Sequence, residues 1–340
     1  MLNTLLGWFS KDMAMDLGTA NTLIYIKKEG IVLNEPSVVA IARETGEVIA
    51  VGKDAKEYIG RSPQNIHAIR PLKDGVISDF DSTREMIKFF FRKAAGRSRL
   101  LRPMMVIGVP SGITQVEKRA VLDSAHLVGA RRVYLIEEPM AAAIGARLNI
   151  HQPSGNMVVD IGGGTTEVAV ISMNTVVYSE SVRVAGDEAN EAIQRYILKK
   201  HHLQIGENAA EQIKIAIGSA YPLKQPMIVR VAGKDIMRGV PRTIEINDTE
   251  VREAMSEPVN AIVNSVLRAF EQTPPELAAD IKGKGIVLAG GGALLKGVDK
   301  LIEQQTNVSV MLSDDPLTTV VEGCGTALED LKYWKPVFIN

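Results

Sequence analysis

One cysteine, Cys324, is all the chain carries, which excludes an internal disulfide framework and fits a reducing compartment. As a lone thiol it reads as a small buried hydrophobe. Long apolar runs are missing as well: no window holds the ~18 or more consecutive apolar residues that would span a bilayer, so no segment is expected to cross one. Nor is there an excess of charge of either sign. Lys and Arg number 39 against 40 Asp and Glu, giving a net charge of −1 and a pI of about 6.6. That balance excludes a nucleic-acid binder that works by neutralising phosphates along its whole surface. Two phosphate-binding signatures are absent: no Gly-x-x-x-x-Gly-Lys-Ser/Thr occurs, and no Gly-x-Gly-x-x-Gly follows a strand.

What is present points to phosphate binding by another route. Over 340 residues, 46% hydrophobic and 23% charged, there is material for two core-bearing domains. Each half contains the same local pattern. Ala14-Met15-Asp16-Leu17-Gly18-Thr19-Ala20-Asn21-Thr22 leads into the apolar run Leu23 to Ile26, and Val158-Val159-Asp160-Ile161-Gly162-Gly163-Gly164-Thr165-Thr166 leads into Val168 to Ile171. Both read as strand, Asp at the strand end, glycine turn, hydroxyl, strand. Glycine turns let backbone N–H groups approach phosphate oxygens, and the carboxylates Asp16 and Asp160 can orient a hydrated magnesium ion against them. Asp-Gly turns between strands are common. The matched pair carries the argument for a nucleotide clamped between duplicated domains.

Strands alternating with helices indicate α/β layering. A helix is expected over 82–95, capped by Asp81 or Ser82, followed by a strand at 105–110, a helix at 115–128, a strand at 133–136 and a helix at 140–148. The second half should hold helices at 187–201, 208–217 and 248–271. Extended runs at 35–60 and 227–246 suggest a smaller insert in each half. Gly290-Gly291-Gly292-Ala293-Leu294, between a strand and a helix start, is a third glycine turn that a nucleotide can touch.

Glu137 and Glu138 stand before Pro139 at a helix N-terminus, where the dipole favours negative charge. They serve either as caps or as holder of the water that attacks a terminal phosphate. Glu211 and Lys214 share a helical face and form either a surface ion pair or a ribose contact. The five histidines show no metal-ligand spacing, and Lys199-Lys200-His201-His202 reads as a solvated helix end. At the N-terminus, Leu2, Leu5, Leu6 and Phe9 fall on one helical face with Trp8 at its border. No secretory signal is recognisable there. This segment either lies on a membrane surface or docks on the body.

These residues, with Asn34-Glu35-Pro36-Ser37-Val38, Ile69-Arg70-Pro71-Leu72-Lys73-Asp74-Gly75-Val76-Ile77, Glu137-Glu138-Pro139-Met140-Ala141-Ala142-Ala143 and Gly290 to Leu295, resemble the actin, sugar-kinase and heat-shock ATPase superfamily. Within it the chain resembles the MreB-like bacterial actins over essentially its full length. The resemblance implies an α/β actin-like ATPase fold: two duplicated ribonuclease-H-like domains around a central nucleotide cleft, each with a smaller inserted subdomain. It divides the chain into a membrane-binding segment (1–12), subdomain IA (13–33, 75–150 and 323–340), IB (34–74), IIA (151–185 and 248–322) and IIB (186–247).

It implies ATP, with GTP as the alternative, and magnesium. Phosphates would be held by Asp16, Gly18, Thr19, Ala20 and Asn21 and by Asp160, Gly162, Gly163, Gly164 and Thr165. Glu211, Gln212, Ile213 and Lys214 would take the adenosine side, and Gly290, Gly291, Gly292, Ala293 and Leu294 the nucleotide's other edge. Glu138 and Thr165 would handle the hydrolytic water in a slow ATPase. The implied partners are further copies in paired protofilaments, membrane-bound cell-elongation proteins and the inner face of the cytoplasmic membrane, with no nucleic acid. Membrane contact would come from Leu2, Leu5, Leu6, Trp8 and Phe9 and from the loop at Leu100 and Leu101, and the implied role is maintenance of rod shape through cell-wall elongation. Competing expectations are a sugar- or acetate-kinase-type phosphotransferase and a heat-shock-type chaperone. The chaperone lacks an appended substrate domain in this sequence, and the kinase lacks a second base facing an acceptor pocket.

Overall fold

The computed structural model describes residues 11–96 and 102–339. Leu2, Leu5, Leu6, Trp8, Phe9, Leu100 and Leu101 lie outside the described residues. In the first half, β1 (Met13–Leu17), β2 (Asn21–Ile26) and β3 (Gly30–Pro36) lead to β4 (Val39–Ala42), β5 (Val48–Val51), α1 (Lys53–Lys56) and β6 (Ile66–Ile69). A short hairpin, β7 (Leu72–Lys73) and β8 (Val76–Ile77), precedes α2 (Phe80–Ala95), β9 (Met104–Val109), α3 (Gln115–Leu127), β10 (Arg132–Glu137) and α4 (Glu138–Gly145). The second half runs through β11 (Asn156–Ile161), β12 (Thr166–Ser172), β13 (Thr175–Val182), α5 (Gly186–His201), β14 (Leu203–Gln204) and α6 (Glu207–Ile217). It continues with β15 (Ile228–Asp235), β16 (Pro241–Asn247), α7 (Asp248–Ala254), α8 (Ser256–Gln272), α9 (Pro275–Lys284), β17 (Ile286–Ala289), α10 (Val298–Thr306), β18 (Val310–Leu312) and α11 (Thr319–Glu329).

Two five-stranded sheets carry the duplication. Their orders are β3-β2-β1-β9-β10 and β13-β12-β11-β17-β18, and in each an antiparallel three-strand meander joins two parallel strands at the strand that ends in Asp16 or Asp160. A three-stranded sheet is inserted after each meander, β5-β4-β6 in the first half and β14-β15-β16 in the second. Strands β11, β12 and β17 are buried nearly throughout, as strands covered on both faces must be.

The chain crosses between the halves after α4 and returns before α11. These two helices share one apolar layer: Met140, Ala141 and Ile144 pack with Val320, Cys324 and Leu328, and with Val158 and Ala169 of the second sheet. Their axes approach so closely that a Cβ on Gly323 would fall 1.8 Å from the Ala141 carbonyl oxygen, and one on Gly145 would fall 1.9 Å from that of Thr319. Only glycine allows backbone to meet backbone there.

The structure departs from four local expectations. Helix α2 is capped by Asp79, whose carboxylate accepts the Ser82 N–H at 2.7 Å, rather than by Asp81 or Ser82. Asp81 sits inside the first turn, where the dipole favours it. The helix expected at 140–148 is α4, which stops at Gly145, and Arg147 beyond it turns left-handed at φ 58°. The single helix expected over 248–271 is two, broken at Met255. Pro258 has no N–H to offer the Ala254 carbonyl, so the first helix ends there and a second starts. Finally, Lys200 and His201 are not merely solvated: both reach Glu250 of α7, at 3.2 and 3.1 Å.

Candidate functional site

The two Asp-ended hairpins meet turn to turn. A Cβ on Gly163 would lie 2.7 Å from the Ala20 Cβ, and one on Gly164 would lie 3.1 Å from the Thr19 Oγ1, so glycine in the second turn lets the two halves touch. The β7–β8 hairpin lies across this junction: Gly75 N–H donates to Thr19 Oγ1 at 3.3 Å, and its Cα backs onto the Thr165 methyl. The third glycine turn closes the floor. Gly290, at φ 78°, would place a Cβ 2.3 Å from Asp160 Oδ1.

Between these turns is a cleft of about 460 Å³. Asp16, Gly18, Thr19, Ala20 and Asn21 line one wall, and Asp160, Gly162, Gly163 and Thr165 another, with Glu138, Glu211, Lys214, Gly290, Gly291, Gly292 and Leu294 completing it. Other expected residues are placed elsewhere. Ile213 and Ala293 are buried in the cores beside the cleft, Gln212 faces a separate hollow with Lys53, Lys56 and Arg61, and Gly164 packs on Thr19. Glu211 and Lys214 do not pair with each other. Glu211 accepts from Lys56 of α1 at 2.7 Å, and Lys214 Nζ donates to the Gly186 carbonyl at 2.7 Å. Burial pulls the Lys214 ammonium below its ordinary pKa.

Four carboxyl groups converge at the closed end. Burial, then the charge of Asp160, pushes Asp16 up to about 7. Burial alone raises Asp160 to about 6, and Glu167 is raised to about 7, chiefly by burial. Glu138 is pushed well above its ordinary value by burial and then by the charges of Glu167, Asp16 and Asp160. Such a cluster favours a cation or protons. Among the described residues no group of three His, Cys, Asp or Glu could hold a metal by itself, so an ion here needs water or phosphate oxygens for most of its shell.

Glu167 was not among the residues expected from sequence, although register could have found it. It stands opposite Asp160 across the β11–β12 ladder, where the first half has Leu23 opposite Asp16. Its carboxylate accepts the Ser111 N–H at 3.0 Å and the Ser181 hydroxyl at 3.0 Å, tying the β9–α3 loop of one half to the sheet of the other. The start of α5 is also part of the cleft: Gly186 and Asp187 donate their N–H groups to the carbonyls of Gly162 and Gly163 at 3.3 and 2.8 Å. Across the cleft mouth, Arg70 meets Glu207 at 2.5 Å beside the Lys56–Glu211 pair.

Paired glycine turns, hydroxyls and a cation-seeking carboxyl cluster can hold a polyphosphate and a divalent cation. A family model described as MreB/Mbl protein matches residues 10–336. The chain is 53% identical over 334 residues to the cell shape-determining protein MreB of Escherichia coli (strain K12), covering 97% of this chain and 96% of that one. It is 48% identical over 323 residues to the cell shape-determining protein Mbl of Bacillus subtilis (strain 168), covering 95% and 97%. Its fold is similar to the crystal structure of MreB5 of Spiroplasma citri bound to ADP, with a TM-score of 0.90 and 35% identity over 95% of this chain and 97% of that one.

Proposed function

The chain belongs to the MreB/Mbl family of actin-like proteins, and from that premise we propose that it is a membrane-associated bacterial actin that binds ATP in the central cleft, hydrolyses it slowly and assembles into paired protofilaments. Its role on this reading is to organise cell-wall elongation and maintain rod shape, working with membrane-bound elongation proteins at the inner face of the cell membrane. The observation that carries it is the contact between the two Asp-ended hairpins across a cleft whose carboxyl groups seek a cation. A relative with 35% identity holds ADP, which supports an adenine nucleotide here, and relatives with 48% to 53% identity are cell shape-determining proteins.

In the proposed mechanism the turns at Gly18 to Asn21 and at Gly162 to Thr165 grip the phosphate chain from opposite halves. Asp16 and Asp160 would hold magnesium, mainly through water, and that ion supplies charge neutralisation to the phosphate oxygens. Their raised pKa values fit such a site, because a cation offsets the cost of their burial. Glu138 and Thr165 orient the attacking water, since phosphoryl transfer needs positioning more than covalent help. On this reading Lys214 and Glu211 would take the nucleoside side, and the division into IA, IB, IIA and IIB is proposed with it, supported by the presence of two large and two smaller sheets.

No helix among the described residues is long and apolar enough to cross a membrane. Membrane association is assigned to Leu2, Leu5, Leu6, Trp8 and Phe9, aided by Leu100 and Leu101, with avidity from many copies in a filament. Sedimentation and electron microscopy of the full chain with ATP, magnesium and lipid vesicles test the proposal. Filaments bound to lipid are expected. A chain that stays monomeric at all concentrations while phosphorylating a sugar or acetate would overturn it in favour of a kinase.

A further inference from the structure

The segment Asn34 to Val38 lines no part of the cleft, and only its Pro36 lines the separate outer hollow, yet it is wired to the first phosphate turn. Ser37 is fully buried. Its hydroxyl donates to the Gly18 carbonyl at 2.6 Å, and its backbone N–H donates to the Ala20 carbonyl at 3.0 Å. A serine hydroxyl has one proton, so the 2.9 Å contact between Thr22 Oγ1 and Ser37 Oγ must have Thr22 as donor. A relay results, from the Thr22 hydroxyl to Ser37 to Gly18.

Peptide planarity gives this relay a consequence. In a trans peptide the C=O and the following N–H point opposite ways. Holding the carbonyls of Gly18 and Ala20 toward Ser37 therefore aims the N–H groups of Thr19 and Asn21 away from it, toward the cleft those residues line. The other end of the segment is fixed just as firmly. Glu35, 6% exposed, accepts from Lys93 Nζ of α2 at 2.7 Å and from the Lys53 N–H of α1 at 2.9 Å, and the Val38 carbonyl accepts the Gly52 N–H at 2.9 Å. The inserted sheet, through α1, carries Lys56 to Glu211 on the far side of the cleft mouth.

We propose that Asn34 to Val38 is a tether that sets the first phosphate turn against the inserted sheet, with Ser37 as a positioning residue for phosphate binding. The inference rests on the nucleotide reading above and adds a residue that never touches the ligand. Because Ser37 shapes only the turn that meets phosphate, its loss should affect the polyphosphate and spare the nucleoside.

The test measures ATP and adenosine as competitors for a fluorescent ATP analogue, with magnesium, on the full-length chain. Ser37→Ala should weaken ATP about tenfold, the scale of one lost hydrogen bond, and change adenosine less than about twofold. Thr22→Val, which removes the relay's donor with little change of shape, should weaken ATP about two- to threefold with adenosine again unchanged; it decides the matter if Ser37→Ala does not fold. Equal loss for ATP and adenosine, or no loss with either variant, overturns the tether while leaving the nucleotide reading intact. A wild-type chain that binds no nucleotide overturns both.

Discussion

Replacing Asp160 by Asn should make the nucleotide-free protein more stable, and only above mildly acid pH. Burial holds the Asp160 carboxyl at a pKa of about 6, against an ordinary 3.8. In the native state it therefore keeps its proton to a higher pH than in the unfolded chain. Between these two values unfolding releases a proton, so native stability falls as pH rises, and the loss is complete above about pH 6. A shift of about two units corresponds to about 3 kcal/mol. For a chain of 340 residues, with an unfolding entropy of about 2.1 cal/mol/K per residue, that is a rise in Tm of about 4 °C. Scanning calorimetry of wild type and Asp160→Asn in chelator should give equal Tm near pH 4 and a gap that opens by pH 7. Adding ATP and magnesium should stabilise the wild type and leave the variant almost unmoved. A gap that does not depend on pH, or a variant less stable at pH 7, would refute the reasoning.

Other perturbations probe other parts of the molecule. Glu138→Ala should slow phosphate release about 100-fold or more, the scale of a lost water-positioning group, while ATP affinity stays the same; normal turnover would remove Glu138 from the mechanism. Gly323→Ala forces a methyl against the Ala141 carbonyl, where only backbone can give, and should cost ~3 kcal/mol, read as a Tm lower by about 4 °C. An unchanged Tm would show that the helices separate freely. Polar replacement of Leu5, Leu6, Trp8 and Phe9 together should abolish co-sedimentation with vesicles and spare nucleotide binding; if lipid binding persists, the anchor moves to Leu100 and Leu101.

The duplicated hairpins were legible because everything that makes them is local: an Asp at a strand end, glycines at the turn, a hydroxyl after it. Their neighbours α3, α5 and α6 were placed to within a residue for the same reason. The break at Met255 is signalled in the sequence by Pro258, but the apolar rhythm on both sides runs through it and masks the break. Glu167 needed the ladder register, one step beyond pattern. The Lys56–Glu211 and Arg70–Glu207 pairs join residues from opposite halves, and the Glu35–Lys93 pair joins a strand to a helix 58 residues on. Such contacts depend on how finished units dock, and no spacing rule announces them. Nor does one mark Ser37, whose hydroxyl donates to a backbone carbonyl that carries no side-chain signature.

The return of the chain through α11 also governs the order in which the molecule can be completed during synthesis. Strands β1 and β9 and helix α4 emerge early, but the layer they share with Val320, Cys324, Ala327 and Leu328 stays open until α11 leaves the ribosome. Domains fold as units from the N-terminus onward, and here α11, more than 300 residues on, completes the packing of the first sheet. Until then Ala14, Val106 and Ile136 lack part of their cover, and the nascent chain carries both Asp-ended turns without the helix whose apolar layer joins their sheets. On the filament reading proposed above, assembly would wait for α11, so nascent chains that have not yet made that helix would not polymerise with their neighbours.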